Sequence, residues 1–96
     1  MKVKNIDLII AKYNLTNTQI REYIDKRYKS EKYRNILKER IIDGRKLEYL
    51  AIKYYGDDNS PNKILLFEKK ISKITHNFAL WLENERKMRR NERWKI

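Results

Sequence analysis

The sequence predicts an all-α protein, a single small domain of four to five helices with a helix-turn-helix-like pair and a long C-terminal helix. Only two glycines and one proline interrupt its 96 residues, whereas an all-β chain of this length needs turn residues far more often. Apolar residues recur at intervals of three and four, as on one face of a helix. With 41% hydrophobic residues and no cysteine, the chain can bury one core but has no disulfide or cysteine-ligated zinc to reinforce it.

The first half of the chain predicts three short helices. The first runs from Ile6 to Tyr13 and ends at Asn14, a residue that tolerates left-handed backbone geometry. Thr16 or Asn17 can cap the second helix, and Ser30 either breaks that helix or lies within it. The apolar positions that follow the helical period are Ile20, Tyr23, Ile24, Tyr28, Tyr33, Ile36, Leu37, Ile41 and Ile42. Asp43-Gly44 ends this stretch, because glycine accepts the positive φ that closes a last helical turn.

The second half predicts a short helix, a loop and a long helix. The short helix carries Leu47, Leu50, Ala51 and Tyr54 on one face. The loop spans Gly56 to Asn59. Ser60-Pro61 then starts the last helix, with serine as a cap and proline at the first helical position.

The long helix carries a heptad-like apolar seam. Its members are Ile64, Phe67, Ile71, Ile74, Phe78 and Trp81, with Leu65, Leu66 and Leu82 expected to widen it. The seam is either the centre of a monomeric core or the interface of a homodimer through Ile64 to Trp81. After Leu82 the sequence is highly charged, which predicts a projecting helix or a frayed tail. We therefore divide the chain into a domain at 1–85 and a basic extension at 86–96.

The charge of the chain favours a polyanionic partner. Lysine and arginine total 24 against 13 acids, a formal charge of +11, and nucleic acid is the most common target of such a potential. An AT-rich genome would also raise the lysine content, but it would not explain the arginines. The charged first residues do not resemble a signal peptide, and no segment could span a bilayer. We expect a cytoplasmic protein with no membrane partner.

The residues that enzymes use are scarce. His76 is the single histidine, and neither a phosphate-binding glycine loop nor a metal-binding His-Glu-His spacing occurs. The acidic loop Asp57-Asp58-Asn59 lacks the further ligands of an EF-hand, and acids before a helix are explained by its positive terminus. We expect no catalytic residues, no metal and no cofactor.

Two basic patches are predicted to bind nucleic acid. In a helix-turn-helix, the second helix enters the major groove and the first crosses the backbone. On the long helix, asparagine can bind adenine, and lysines suit phosphate or guanine. The residues opposite the apolar seam are Asn62, Lys63, Lys69, Lys70 and Lys73, together with Leu66. The C-terminal arm consists of Arg86, Lys87, Arg89, Arg90 and Arg93, whose side chains suit phosphates or, with Trp94, stacked bases.

A family resemblance supports this interpretation. The segment Ile41-Ile42-Asp43-Gly44-Arg45-Lys46-Leu47-Glu48-Tyr49-Leu50-Ala51, followed by a loop, a basic helix and Phe78-Ala79-Leu80, resembles region-four-type domains of bacterial sigma factors. It is most similar in character to small phage transcription regulators of the ArpU and RinA type. The resemblance covers about Tyr33 to Leu82 and implies a helix-turn-helix that binds double-stranded DNA. The loop from Tyr55 to Ser60 is longer than the usual turn, and Pro61 stands where serine or threonine is common.

Three alternatives remain open at this stage. A second helix-turn-helix could lie at the N-terminus, with Thr18, Gln19, Arg21 and Glu22 contacting a partner. The chain could instead be a small phage protein that binds and inhibits or adapts a host nucleic-acid enzyme, in the manner of an anti-CRISPR or polymerase-binding protein. Seven tyrosines exceed what the helical stripes require, and exposed tyrosine favours protein interfaces. The same tyrosines could stack on bases in an RNA-binding protein.

Overall fold

The all-α prediction is confirmed by the structure, a computed structural model that describes residues 6–56 and 61–94, with side chains described as far as Met88. Five helices follow one another in the described residues, and none of those residues forms a strand. The helices are α1 (Ile6–Tyr13), α2 (Asn17–Arg27), α3 (Glu31–Ile41), α4 (Leu47–Tyr55) and α5 (Pro61–Trp94). Their order reproduces the predicted short helices followed by one long helix.

The junction between α1 and α2 follows from local sequence. Asn14 takes a left-handed φ of 52°, as its position after the last helical turn predicted. Thr16 caps α2, because its Oγ1 accepts a hydrogen bond from the Gln19 amide at 3.2 Å and its own amide donates to Gln19 Oε1 at 2.9 Å. This reciprocal capping box satisfies two amides that the helix itself cannot.

Ser30 separates α2 from α3. Tyr28 leaves the helix with extended backbone angles, φ −117° and ψ 129°. The Ser30 hydroxyl then accepts a hydrogen bond from the Tyr33 amide at 3.4 Å and caps α3. Of the two predicted roles, Ser30 therefore breaks the helical stretch into two. Gly44 follows the end of α3 with a φ of 69°, which confirms its predicted role at that turn.

The helices α4 and α5 form the most extensive helix pair of the described chain. Gly56 lies at the end of α4, where a β-carbon would approach the Ile52 carbonyl oxygen to 1.9 Å, so the turn requires glycine. α5 begins at Pro61, as predicted, while the predicted cap Ser60 and the acidic loop residues 57–59 lie outside the described residues. Its 34 residues extend over about 51 Å, close to the longest dimension of the molecule, 55 Å.

Two hydrophobic clusters make up the core of the described residues, and α5 contributes to both. The large cluster is Ile9, Leu15, Ile20, Tyr23, Ile24, Leu37, Phe78, Ala79 and Leu82. The small cluster is Ile36, Leu50, Ala51 and Ile71. Ile71 and Phe78 are fully buried, so the predicted seam packs against helices of the same chain. A homodimer through Ile64 to Trp81 would have to displace that core.

Two expectations about α5 need correction. Leu65 and Leu66 do not widen the core stripe, since they are 56% and 61% exposed, whereas Leu82 is buried as expected. With 3.6 residues per turn, both side chains leave the helix on a different side from the buried Ile71. The predicted alternative of a frayed tail after Leu82 is also wrong, because α5 continues as a helix to Trp94. Its first turn beyond Leu82 still contacts α2, where Lys26 donates a hydrogen bond to Glu85 at 3.0 Å. Among the described residues, no helix is long and apolar enough to cross a bilayer.

Candidate nucleic-acid interface

The side of α5 that points away from Ile71 forms its outer face. Residues along an α-helix are about 100° apart, which places Asn62, Leu66, Lys69 and Lys73 within about 40° of the direction opposite Ile71. All four are exposed. Lys63 and Lys70 are exposed on one flank of that face. Of the five residues predicted from the sequence, Asn62, Lys69 and Lys73 therefore lie on the outer face of the first half of α5, and Lys63 and Lys70 lie on its flank.

The positive charges of Lys69, Lys70 and Lys73 are not neutralised by ion pairs in the described part of the chain. Four other lysines are paired with carboxylates in the described part of the chain. These pairs are Lys26–Glu85 at 3.0 Å, Lys38–Asp25 at 2.8 Å, Lys53–Glu39 at 2.6 Å and Lys87–Glu83 at 2.9 Å. No ion pair among the described residues involves Lys69, Lys70 or Lys73. Their positive charge is therefore available to an external anion.

An aromatic stack lies next to this face. Tyr55, at the end of α4, stacks on Phe67 of α5 with ring centroids 4.6 Å apart and planes inclined by 16°. Two ammonium groups approach the Tyr55 ring, Lys70 Nζ at 5.3 Å and Lys32 Nζ at 3.9 Å from its centroid. Lys32 belongs to α3 and was not predicted as a site residue. No pattern in the sequence could have identified it, because only the packing of α3 against α4 and α5 brings it there.

The two described side chains of the predicted C-terminal arm, those of Arg86 and Lys87, do not form one basic surface. Arg86 is partly buried: its Nη1 donates a hydrogen bond to the Tyr23 hydroxyl at 3.2 Å, and its guanidinium carbon lies 5.6 Å from the Tyr13 ring centroid. Lys87 is exposed but pairs with Glu83 one helical turn earlier. The side chains of Arg89, Arg90 and Arg93 lie outside the described residues. Arg86 thus serves packing between α5, α2 and α1.

Most of the seven tyrosines are packed into the fold, including those predicted on the apolar faces of the helices. Of the seven, Tyr49 is 45% exposed, while Tyr23 is buried and the other five are partly buried. Their rings meet other aromatic rings, for example Tyr23 against Trp81 at 6.0 Å between centroids and Tyr28 against Phe78 at 6.1 Å. The excess of tyrosine therefore belongs largely to the core and its edges, and it does not form a continuous stacking platform.

The alternative pair at the N-terminus exposes a different surface. Thr18, Gln19, Arg21 and Glu22 of α2 are all exposed. Gln19 is engaged in the capping box, and Arg21 and Glu22 carry opposite charges. This surface therefore has a weaker positive potential than the first half of α5.

A mixed-charge groove of about 370 Å³ lies between α2, α3 and α4. Within it, Glu39 accepts hydrogen bonds from Tyr54 and, at 2.6 Å, from Lys53. Burial alone would raise the pKa of the Glu39 carboxyl, but those hydrogen bonds and the charges of Lys53 and Arg45 outweigh it and lower the pKa. Glu39 is therefore a structural anion at neutral pH. Among the described side chains, no three of His, Cys, Asp or Glu are placed to hold a metal ion.

The fold and this surface define the class of the molecule as a small, basic, all-helical protein. Its last two described helices pack together, and α5 exposes lysines that no described carboxylate neutralises. Comparisons of the chain with protein-family models, with curated proteins and with solved structures returned no match. The function is therefore inferred from the residues themselves.

Proposed function

We propose that the protein binds double-stranded DNA through the first half of α5 and regulates transcription as a phage or mobile-element protein of the cytoplasm. The observation that carries the proposal is the outer face of α5, where Asn62, Lys69 and Lys73 are exposed and neither lysine pairs with a carboxylate in the described chain. The opposite side of the same helix is buried against α4 and α3. This arrangement supports a helix-turn-helix in which α4 positions α5.

Each residue of the outer face has a chemically matched target on DNA. The Asn62 amide can donate to and accept from the edge of adenine in the major groove. Lys69 and Lys73 suit guanine or backbone phosphate. Exposed Leu66 offers an apolar surface to a thymine methyl group. With α5 anchored by Ile71 and Phe78, the lysines are presented on a rigid element, which reduces the entropy lost on binding.

A salt titration of DNA binding tests the proposal. Lys69→Ala combined with Lys73→Ala should weaken binding to a duplex and lower the slope of log affinity against log salt by about 0.9 for each phosphate that is no longer neutralised. A matched control is the double variant Lys12→Ala, Lys29→Ala, which removes the same charge from exposed positions outside α5. Fluorescence anisotropy at several salt concentrations measures both quantities.

Two results would contradict the proposal. The first is equal loss of affinity in the α5 variant and in the control, which would assign binding to net charge alone. The second is the absence of duplex binding by the wild-type chain at low salt. A gel shift with random DNA and with DNA from upstream of the protein's own gene then tests sequence specificity, since a regulator should prefer the second duplex.

A second candidate function is that of an adaptor or inhibitor that binds a host nucleic-acid enzyme. The observation in its favour is the exposure of large apolar side chains on α5, with Leu65 56%, Leu66 61% and Leu80 47% exposed. Exposed apolar residues near uncompensated cations suit an acidic protein surface. A pull-down from host lysate with and without nuclease distinguishes the two functions, because only a protein partner survives nuclease treatment. Capture should then be lost in Leu66→Ser, Leu80→Ser.

A further inference from the structure

Three helices meet at the ring of Tyr55. α4 supplies Tyr55, α5 supplies Phe67 and Lys70, and α3 supplies Lys32. Phe67 stacks on the tyrosine ring at 4.6 Å between centroids, and the small cluster buries Ile36, Leu50 and Ile71 beneath this junction. The Tyr55 ring is therefore a packed platform, and the ammonium groups of Lys32 and Lys70 lie beside it.

The two ammonium groups at this platform carry no counter-charge in the described chain. Lys32 Nζ lies 3.9 Å and Lys70 Nζ 5.3 Å from the Tyr55 centroid, and neither forms an ion pair with a described carboxylate. Burial, and then the neighbouring Tyr33, raise the pKa of the Tyr55 hydroxyl, so the ring remains neutral. Two cations held near one neutral ring repel each other, and an anion between them removes that repulsion.

The two ammonium groups can reach one tetrahedral oxyanion. Lys32 Nζ and Lys70 Nζ both lie within 5.3 Å of the Tyr55 centroid on side chains that can rotate, so each can turn to donate a hydrogen bond of about 2.8 Å to a different oxygen of the same phosphate. Lys32 is the second residue of α3, so the positive end of that helix adds to the local potential. Both lysine side chains are exposed, and an approaching phosphate needs no opening of the fold.

We propose that Lys32 and Lys70 together bind one phosphate group of a nucleic-acid backbone, with Tyr55 holding the pair in place. This inference rests on the proposed DNA-binding function and deepens it. Lys70 flanks the outer face of α5, so a phosphate bound there fixes how the duplex lies along Asn62, Lys69 and Lys73. Backbone interactions of this kind set the orientation of a protein on DNA without reading sequence.

The test compares Lys32→Ala, Lys70→Ala and the double variant of the full chain, with Lys12→Ala as the matched control. Lys12 is remote from the site. It lies on α1 beside Tyr13, which contacts Arg86, and residue 86 is about 24 Å along α5 from residue 70.

Each single variant at the site should weaken binding to a fixed duplex on the order of tenfold and lower the salt slope by about 0.9. The double variant should weaken binding by less than the product of the two single effects, because both lysines hold the same phosphate. Lys32→Arg keeps the positive charge and should bind the duplex about as tightly as the wild type.

A second measurement separates this inference from the proposed function. Inorganic phosphate is titrated into the labelled protein while the ammonium resonances of Lys32 and Lys70 are followed by NMR. Shifts at both lysines, together with the duplex result, support the inference. If Lys32→Ala and Lys70→Ala match Lys12→Ala while Lys69→Ala, Lys73→Ala still weakens duplex binding, the inference fails and the DNA-binding function stands. If phosphate shifts both resonances but the wild type binds no duplex, the site is real, the DNA function fails and the ligand is a free phosphate compound.

Discussion

The guanidinium group of Arg86 on α5 donates a hydrogen bond to the hydroxyl of Tyr23 on α2 at 3.2 Å. It also lies 5.6 Å from the ring centroid of Tyr13 on α1, so a single side chain connects three helices. The sequence suggested a role for Arg86 in binding phosphate. Its position instead suits a side chain that holds helices together through its aliphatic part and its hydrogen bond to Tyr23.

Arg86→Ala should therefore destabilise the fold more than it weakens DNA binding. We expect a decrease of about 1–2 kcal/mol in the free energy of unfolding, from poorer packing and the loss of the hydrogen bond between Arg86 and the Tyr23 hydroxyl. Urea unfolding followed by far-UV circular dichroism measures it, and Arg86→Met, which keeps the aliphatic chain, should be less destabilised. A variant with unchanged stability but much weaker duplex binding would return Arg86 to the nucleic-acid surface.

Gly44→Ala should destabilise the protein through the backbone alone. Gly44 has a φ of 69°, and a β-carbon there would meet no atom within 4 Å. The decrease in stability should be about 1 kcal/mol, the cost of left-handed geometry for an L-residue. Gly44→Asn is the control and should be less destabilised, because asparagine adopts this geometry more readily. Equal urea midpoints for the wild type and the alanine variant would contradict the argument.

Phe78 and Leu80 lie two residues apart on α5 but should respond very differently to truncation. Phe78 is fully buried in the large cluster, whereas Leu80 is 47% exposed. Phe78→Ala should lower the free energy of unfolding by about 3–5 kcal/mol, because it leaves a cavity. Leu80→Ala should change it by no more than about 0.5 kcal/mol. Thermal unfolding of both variants measures the difference, and a comparable destabilisation in Leu80→Ala would mean that its face is covered.

The carboxyl of Glu39 should contribute a pH-dependent part of the stability. Although burial acts to raise its pKa, hydrogen bonds from Lys53 and Tyr54 hold that pKa below the ordinary value of 4.5. A lowered pKa means that the contribution is present above about pH 4.5 and is lost as the pH falls through the folded-state pKa. Glu39→Gln should thus be less stable than the wild type at neutral pH, and the gap should narrow on acidification.

Urea midpoints of the wild type and Glu39→Gln, measured from about pH 7 to about pH 3, test this prediction. The difference between the two proteins isolates Glu39 from the other carboxyls, since those titrate in both chains. Asp43→Asn is a matched control in the same groove, because Asp43 is exposed. A gap that stays constant over the whole range would show that the Glu39 carboxylate is not stabilised by its partners.

The element boundaries were largely predictable because they depend on neighbours in the chain. Thr16 caps α2 through Gln19 three residues later, and Ser30 caps α3 through the Tyr33 amide. Asn14 and Gly44 both adopt the positive φ that their positions after a helix require. The seam of α5 was equally visible, because burial of one helical face imposes a period of three and four residues.

The candidate site was predictable only in part. The exposure of Asn62, Lys69 and Lys73 follows from their position opposite the seam, a property of one helix. Lys32 could not be assigned to the site from the sequence. It lies beside Tyr55 only because α3 packs against α4. Tyr55 lies outside the predicted apolar stripes, and its packing on Phe67 could not be predicted, because that contact depends on which helices meet.

The sequence by itself determined the all-α class, the helix ends and the excess of positive charge, because composition, capping and periodicity act within a few residues. The tertiary structure decided which cations remain available. It placed Arg86 against Tyr23, paired Lys26 with Glu85 and brought Lys32 beside Lys70 at Tyr55. The physical reason is that a charged side chain is paired or unpaired according to the groups that lie within a few ångströms of it. In a helical domain most of those groups come from other helices.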